Sequence, residues 1–111
     1  MATTFKRLGA IASTGTIGTA DTLYTVPTAT QTVVSTISIC NTSASAATFS
    51  VAVSTTTSFV ASGYIVYQSS IAGNDTVALT FGMTLDATNK YLLASSSAST
   101  VSFSAFGSEI A

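Results

Sequence analysis

The sequence predicts an all-β protein: a single antiparallel β-sandwich or jelly roll of about eight short strands, with essentially no helix. Three observations carry that expectation. Large apolar residues alternate with small or hydroxylated ones at period two, the pattern of a half-buried strand. Clusters of turn formers break the alternation at short, regular intervals, as in two-sheet folds. Glu, Lys, Arg and Gln, the polar residues that favour helix, are nearly missing, and no long window repeats at i, i+3, i+4 and i+7.

The elements follow in order. The first two strands are expected near Phe5 to Ile11 and Thr22 to Val26, and Pro27-Thr28-Ala29-Thr30 turns the chain after the second. A third runs from Thr32 to Asn41, where Ile37 and Ile39 alternate with Thr36, Ser38 and Cys40; Asn41-Thr42-Ser43-Ala44-Ser45 ends it. The fourth, Thr48 to Ser54, alternates Phe49, Val51 and Val53 with Ser50 and Ala52. Short strands are expected at Tyr64 to Tyr67 and, after Gly73-Asn74-Asp75, at Thr76 to Phe81, with Val77, Leu79 and Phe81 on one face. Asp86-Ala87-Thr88-Asn89 leads into Tyr91 to Ala94, and the last strand, Val101 to Phe106, carries Val101 and Phe103 opposite Ser102 and Ser104. Residues 1–111 form one domain on this reading, with an N-terminal arm at about 1–7 and a C-terminal tail at about 107–111 that fray unless another chain holds them. No repeat of solenoid or propeller length is visible.

Composition narrows the function. The chain has 111 residues, enough for one core. Only 6% are charged, against about 25% in an ordinary soluble domain. Thr and Ser together make 39 of 111 residues, 47% are hydrophobic, and the mean hydropathy is +0.57. Disorder is disfavoured, because it goes with high charge and few β-branched residues. Three basic residues cannot make a phosphate-binding patch, so no nucleic-acid partner is expected. With no His and four scattered carboxylates, acid-base or nucleophilic catalysis is not expected, nor any cofactor or metal. No segment approaches the roughly 20 apolar residues of a membrane span. The N-terminus has Lys6 and Arg7 but no apolar run of signal length after them, so the mature chain is expected to begin near residue 1.

Individual candidates read mostly as structure. Asp75 with Asn74 and Thr76 offers oxygen atoms in a turn, but calcium takes six to eight, usually from several carboxylates, and Asp75 is alone. Asn41-Thr42-Ser43 and Asn74-Asp75-Thr76 fit the N-glycosylation pattern without a secretory signal to accompany it. Cys40, the single cysteine, cannot form an internal disulfide and is expected to pack as a small hydrophobe among hydroxyls. Thr55-Thr56-Thr57 is a block and not a repeat, which argues against an ordered threonine array. Tyr64 and Tyr67 stand three apart, on opposite faces of a regular strand, so they are not expected to form a sugar-stacking platform.

The surface itself is the informative anomaly. Soluble monomers generally carry spread charge, and this chain has almost none. A hydroxyl-rich sheet face tolerates burial against another chain, since no charge has to be desolvated. That suits a structural subunit better than a free enzyme.

Leu23-Tyr24-Thr25-Val26-Pro27, Val33-Val34-Ser35-Thr36-Ile37-Ser38-Ile39-Cys40-Asn41, Ile71-Ala72-Gly73-Asn74-Asp75-Thr76 and Phe103-Ser104-Ala105-Phe106-Gly107-Ser108-Glu109-Ile110 together resemble small virion structural proteins of tailed bacteriophages, including phages of cyanobacteria. The likeness runs from about Phe5 to Ile110. It implies a phage particle protein: a capsid cement or decoration subunit binding over junctions of the major capsid protein, or a tail, collar or fibre component. Thr28-Ala29-Thr30 stands where related sequences carry Gly, and Ser43 to Ala47 where they carry charge, so no contact residue is carried over from the family. The partners so implied are the major capsid protein or other virion proteins, with homo-oligomerisation, in a virion protein made in the host cytoplasm. From the residues alone the chain ends are the expected assembly contacts: Phe5, Lys6 and Arg7 in the arm, Glu109 and Ile110 in the tail, with Lys6 and Arg7 paired to Glu109 or Asp21 of another copy. Removing Met1 to Arg7 is then expected to spare the fold and weaken assembly. A receptor- or carbohydrate-binding module is the alternative from a different class.

Overall fold

The predicted alternation becomes eight strands: β1 (Thr3–Ala12), β2 (Asp21–Thr25), β3 (Gln31–Asn41), β4 (Ala47–Ser54), β5 (Tyr64–Ile71), β6 (Thr76–Leu85), β7 (Tyr91–Ser96) and β8 (Val101–Ile110). They are seen in a computed structural model that describes residues 2–111; Met1, part of the expected arm, lies outside the described residues. A single 3-10 turn, Ala61–Gly63, precedes β5. β5 and β6 run about four residues further than the alternation suggests, and β1 starts at Thr3.

Two four-stranded sheets form, ordered β1-β8-β3-β6 and β2-β7-β4-β5. Every pair is antiparallel, and β1 joins β8, β2 joins β7, β3 joins β6 and β4 joins β5. The chain is therefore one long hairpin rolled up on itself, which is the jelly roll.

The turns are held by the polar residues that announced them. Asp86 Oδ1 accepts hydrogen bonds from the backbone N–H groups of Thr88 and Asn89, both at 2.9 Å, which hold its carboxyl below the usual range. Asn74 sits in the left-handed region at φ 55°, and its N–H reaches Ser43 O at 2.7 Å. Asp75 accepts from the Asn41 N–H through its backbone carbonyl, a structural turn. Asn41 is 1% exposed; its amide donates to Ser45 O and Ala72 O, so the sequon there is closed within the fold.

Between the sheets lie the large residues of the alternating pattern. Val34, Ile37, Ile39, Val101 and Phe103 from the first sheet meet Leu23, Phe49, Val51 and Leu92 from the second, all buried. Phe49 and Phe103 pack edge to face across the middle, ring centres 6.4 Å apart.

The expected arm and tail are strand over most of their length. Thr3 pairs with Ile110, Phe5 with Ser108 and Arg7 with Phe106, and the backbones of Ala2 and Ala111 bond reciprocally at 2.9 and 3.0 Å. Two segments a hundred residues apart each satisfy the other's backbone, which neither displays in its own sequence. Removal of Met1 to Arg7 would strip half of β1 from β8, so the earlier expectation that the fold is indifferent to it is corrected.

Candidate assembly surface

The rolled topology gathers all five expected contact residues at one end of the β1–β8 ladder, and the pleat then divides them. Opposite residues share a face. Phe5, Arg7 and Ile110 stand on the outer face of the first sheet, with Ser108 and Phe106 as their neighbours. Lys6 and Glu109 stand on the inner side, at the rim of the sandwich.

There they form a closed polar cluster. Lys6 Nζ lies 3.3 Å from Glu109 Oε1, with the Lys side chain 45% and the Glu side chain 16% exposed. The Tyr24 hydroxyl donates to Glu109 Oε2 and lies 2.9 Å from Thr32 Oγ1, on β3. Burial, and then the Glu109 carboxylate it bonds to, push the Tyr24 phenol up to about 12. The Tyr24 hydroxyl, and then Lys6, hold the Glu109 carboxyl below its ordinary value. The ion pair expected between copies thus forms within one chain. Asp21, the other suggested partner, accepts from the Thr14 N–H and hydroxyl at 3.1 and 3.3 Å and serves its own loop.

The outer side is different. Phe5 is 84% exposed and Phe106 39%, and together with Val33, Ser35 and Ser108 they border a shallow recess. Arg7 has no carboxylate within ion-pair distance among the described residues. From this corner the outer face runs on as small and hydroxylated side chains: Ser104, Ser102 and Ala10 beside Thr36, Ser38 and Cys40, then Thr76, Ala78 and Thr80 at the β6 edge. Cys40 is half-buried among them, opposite Thr76 and Ser102.

The β1–β8 corner depends on one close approach. Gly107 faces Val34, and a Cβ there would stand 1.9 Å from the Val33 carbonyl oxygen. Bulges on both neighbouring strands, between Arg7 and Gly9 and between Val34 and Thr36, accommodate the same bend.

Sequence reasoning missed Phe106 as a contact candidate and Tyr24 as the acceptor's partner. Phe106 follows Phe103 by three, so its outward orientation was legible from the pleat; the Tyr24 bond, between residues 85 apart, was not.

It also missed an aromatic cluster on the second sheet. Phe59, Tyr64 and Tyr67 lie together, with ring centres 5.1 Å apart for Phe59 and Tyr64 (26° between planes) and 4.8 Å for Tyr64 and Tyr67 (77°). The expectation that the two tyrosines take opposite faces is corrected. The β4–β5 register shifts twice, so that Tyr64 pairs with Ala52 but Val66 with Val51 and Ser69 with Phe49. Each shift inserts a residue into β5, and three-residue spacing then returns to the same face.

No protein-family model matches the sequence, and no curated protein matches it. Among solved structures, a chain in the structure of infectious bursal disease virus, Gx strain, matches over 97% of this chain and 31% of that one, with a TM-score of 0.51 and 10% identity. A chain in the structure of the Gt strain matches over 96% and 31%, with a TM-score of 0.48 and 11% identity. This chain therefore spans about a third of the length of those it matches. At 10% identity the Gx likeness is one of fold alone, and it gives no support to the expected likeness to tailed bacteriophages.

Proposed function

We propose that this chain is a non-enzymatic virion structural protein, and within that class a capsid cement or decoration protein that binds over junctions of the major capsid protein and stabilises the head. The observation that carries the reading is the outer face of the first sheet: broad, hydroxylated, with Arg7 its one charged side chain among the described residues and with Phe5 and Phe106 projecting at one end. The likeness of fold to a chain from a virus structure and the sequence resemblance to phage virion proteins support the same reading.

Away from Arg7, such a face loses little on burial. Hydroxyls can bond to a neighbouring backbone, and no ion pair has to be broken, because Lys6 and Glu109 are engaged on the other side of the sheet. Phe5 and Phe106 supply the apolar anchors: Phe5, 84% exposed, has most of the about 150–250 Å² of an aromatic side chain to bury, and Phe106, 39% exposed, well under half of it. At about 25 cal/mol per Å² the gain of a single copy is modest after loss of rigid-body freedom. Repetition over a symmetric shell multiplies it. Phe5, Arg7 and Ile110 are the contact residues in this proposal, and Lys6 and Glu109 hold the strand ends that present them. Self-association into a small oligomer belongs to the same proposal.

The test is copy number, by quantitative mass spectrometry of purified particles of the phage that encodes the chain. A one-to-one or one-third ratio to the major capsid protein is expected. A few copies to a few dozen would assign the chain to tail, collar or fibre, and absence from particles would overturn the virion reading.

A further inference from the structure

The aromatic cluster on the second sheet is not needed by the proposed assembly surface, and its construction is costly. Tyr67 is 63% exposed, which leaves much of a large apolar ring in solvent. Its position depends on Gln68, which holds a left-handed backbone at φ 46° without being glycine. That conformation is pinned from below: the Gln68 N–H donates to the buried Ser50 Oγ at 2.9 Å. Above, Gln68 Nε2 donates to the Tyr67 hydroxyl at 3.2 Å. Bulges beside a site commonly re-aim a side chain, and strained residues persist where the surroundings hold them.

The result is a shelf. Phe59, Ala61, Tyr64 and Tyr67 line an open cleft of about 480 Å³, within the size range of small-ligand sites. Three aromatic rings line it, Tyr67 the most exposed of them, and the Gln68 amide bonded to the Tyr67 hydroxyl brings neutral polar groups beside it. No charged side chain lines it. Apolar ring faces bordered by neutral donors and acceptors match a pyranose, whose C–H face is apolar and whose edge is a belt of hydroxyls. An anionic sugar would find no cation here, and a proline-rich peptide would need an aromatic groove extended along several residues where this is a single recess.

We infer that the shelf formed by Phe59, Tyr64 and Tyr67, with Gln68 beside it, is a binding site for a neutral saccharide. The inference stands independently of the virion reading.

The experiment is saturation-transfer NMR on the intact chain with four neutral hexasaccharides, of the malto, cello, chito and manno series, at millimolar concentration. Tyrosine fluorescence provides the titration, since the chain has no Trp. Saturable transfer from at least one of them is expected, with Tyr67→Ala weakening binding at least tenfold, Gln68→Ala severalfold, and Phe5→Ala, on the other sheet, leaving it unchanged. Tyr67→Phe should retain most of the affinity, which separates loss of the ring from loss of the fold. Transfer from none of the four, equal binding by Tyr67→Ala and the parent, or saturation of the shelf by a proline-rich decapeptide instead would overturn the inference.

Discussion

The two outer faces of this sandwich are built from the same few residue types and end up as different surfaces. On the first sheet the register runs unbroken from Thr36 to Cys40, past the bulges at Arg7 and Ser35, and the outer row there stays open: Thr76, Ala78 and Thr80 are exposed, and Ser102, Ser104 and Ser38 half-exposed. On the second sheet Ser50, Ala52, Ser54, Leu93 and Ser95 are buried although Val51, Leu92 and Ala94 between them face the core. The Ser95 hydroxyl is buried there without a partner among the described residues. What separates the faces is register. Both sheets carry bulges, but those of the first lie near its Arg7 and Ser35 end and leave the rest of the face in register for a broad contact, whereas two inserted residues in β5 concentrate aromatic side chains into a local shelf.

Substitutions can break that comparison in order of size. Phe103→Ala removes the ring that meets Phe49 between the sheets, and both faces rest on it. A loss of about 3–5 kcal/mol is expected in urea unfolding, and a loss under about 1 kcal/mol would mean that the two sheets do not share one core.

Next comes the corner that fastens β1 and β8 to the second sheet. Tyr24→Phe leaves Glu109 and Thr32 short of a partner and should cost about 1–2 kcal/mol near neutral pH. The pH dependence has a definite sign. The Tyr24 phenol is raised in the folded state to about 12, so the unfolded chain loses its proton first and stability falls as pH rises from about 10 toward 12. Denaturant midpoints of parent and Tyr24→Phe should therefore converge over that window. The Glu109 carboxyl is lowered, so its contribution is present above the ordinary carboxylate range and fades as pH falls through its folded value. Parallel curves at both ends of the pH scale would contradict the cluster.

The shelf should respond in the opposite direction. Gln68→Gly relieves the left-handed backbone and is expected to stabilise by up to about 1 kcal/mol, a gain partly offset by the freer unfolded chain. A thermal melt showing destabilisation instead would mean that the amide contributes more to the fold than its backbone strain subtracts.

The smallest expected effect falls on the flat face. Ser104→Lys, opposite Ser38 and Ala10, should change stability by no more than about 0.5 kcal/mol. Light scattering should nonetheless show weaker self-association, because a lysine buried between copies must be desolvated. Unchanged association would move the proposed contact off this face.

Much of the framework was legible in the residues. Period-two alternation marked β3, β4, β6 and β8, and the Asp86 and Asn74 turns lie where their side chains announced them. Local chemistry decides these features, since a pleat and a turn involve residues a few positions apart. The five end residues were singled out together, and they do lie together, but as one paired corner and not as free arms. Lys6 and Glu109 meet inside the chain because β1 and β8 are neighbours in the roll, a relation that neither segment encodes locally. Tyr64 and Tyr67 were misassigned for a related reason: the faces of a strand follow from spacing only while the register holds, and the Ser50 bond that sustains the bulge comes from another strand.

The sequence by itself determined the class of fold, the identity of the core rows and the near absence of charge on whatever surface would form, because each follows from composition and short-range periodicity. Strand order, the closing of the Tyr24, Lys6 and Glu109 cluster and the assembly of the aromatic shelf were decided only by tertiary structure. Each depends on contacts between residues far apart in the chain, whose meeting is set by how the whole hairpin rolls.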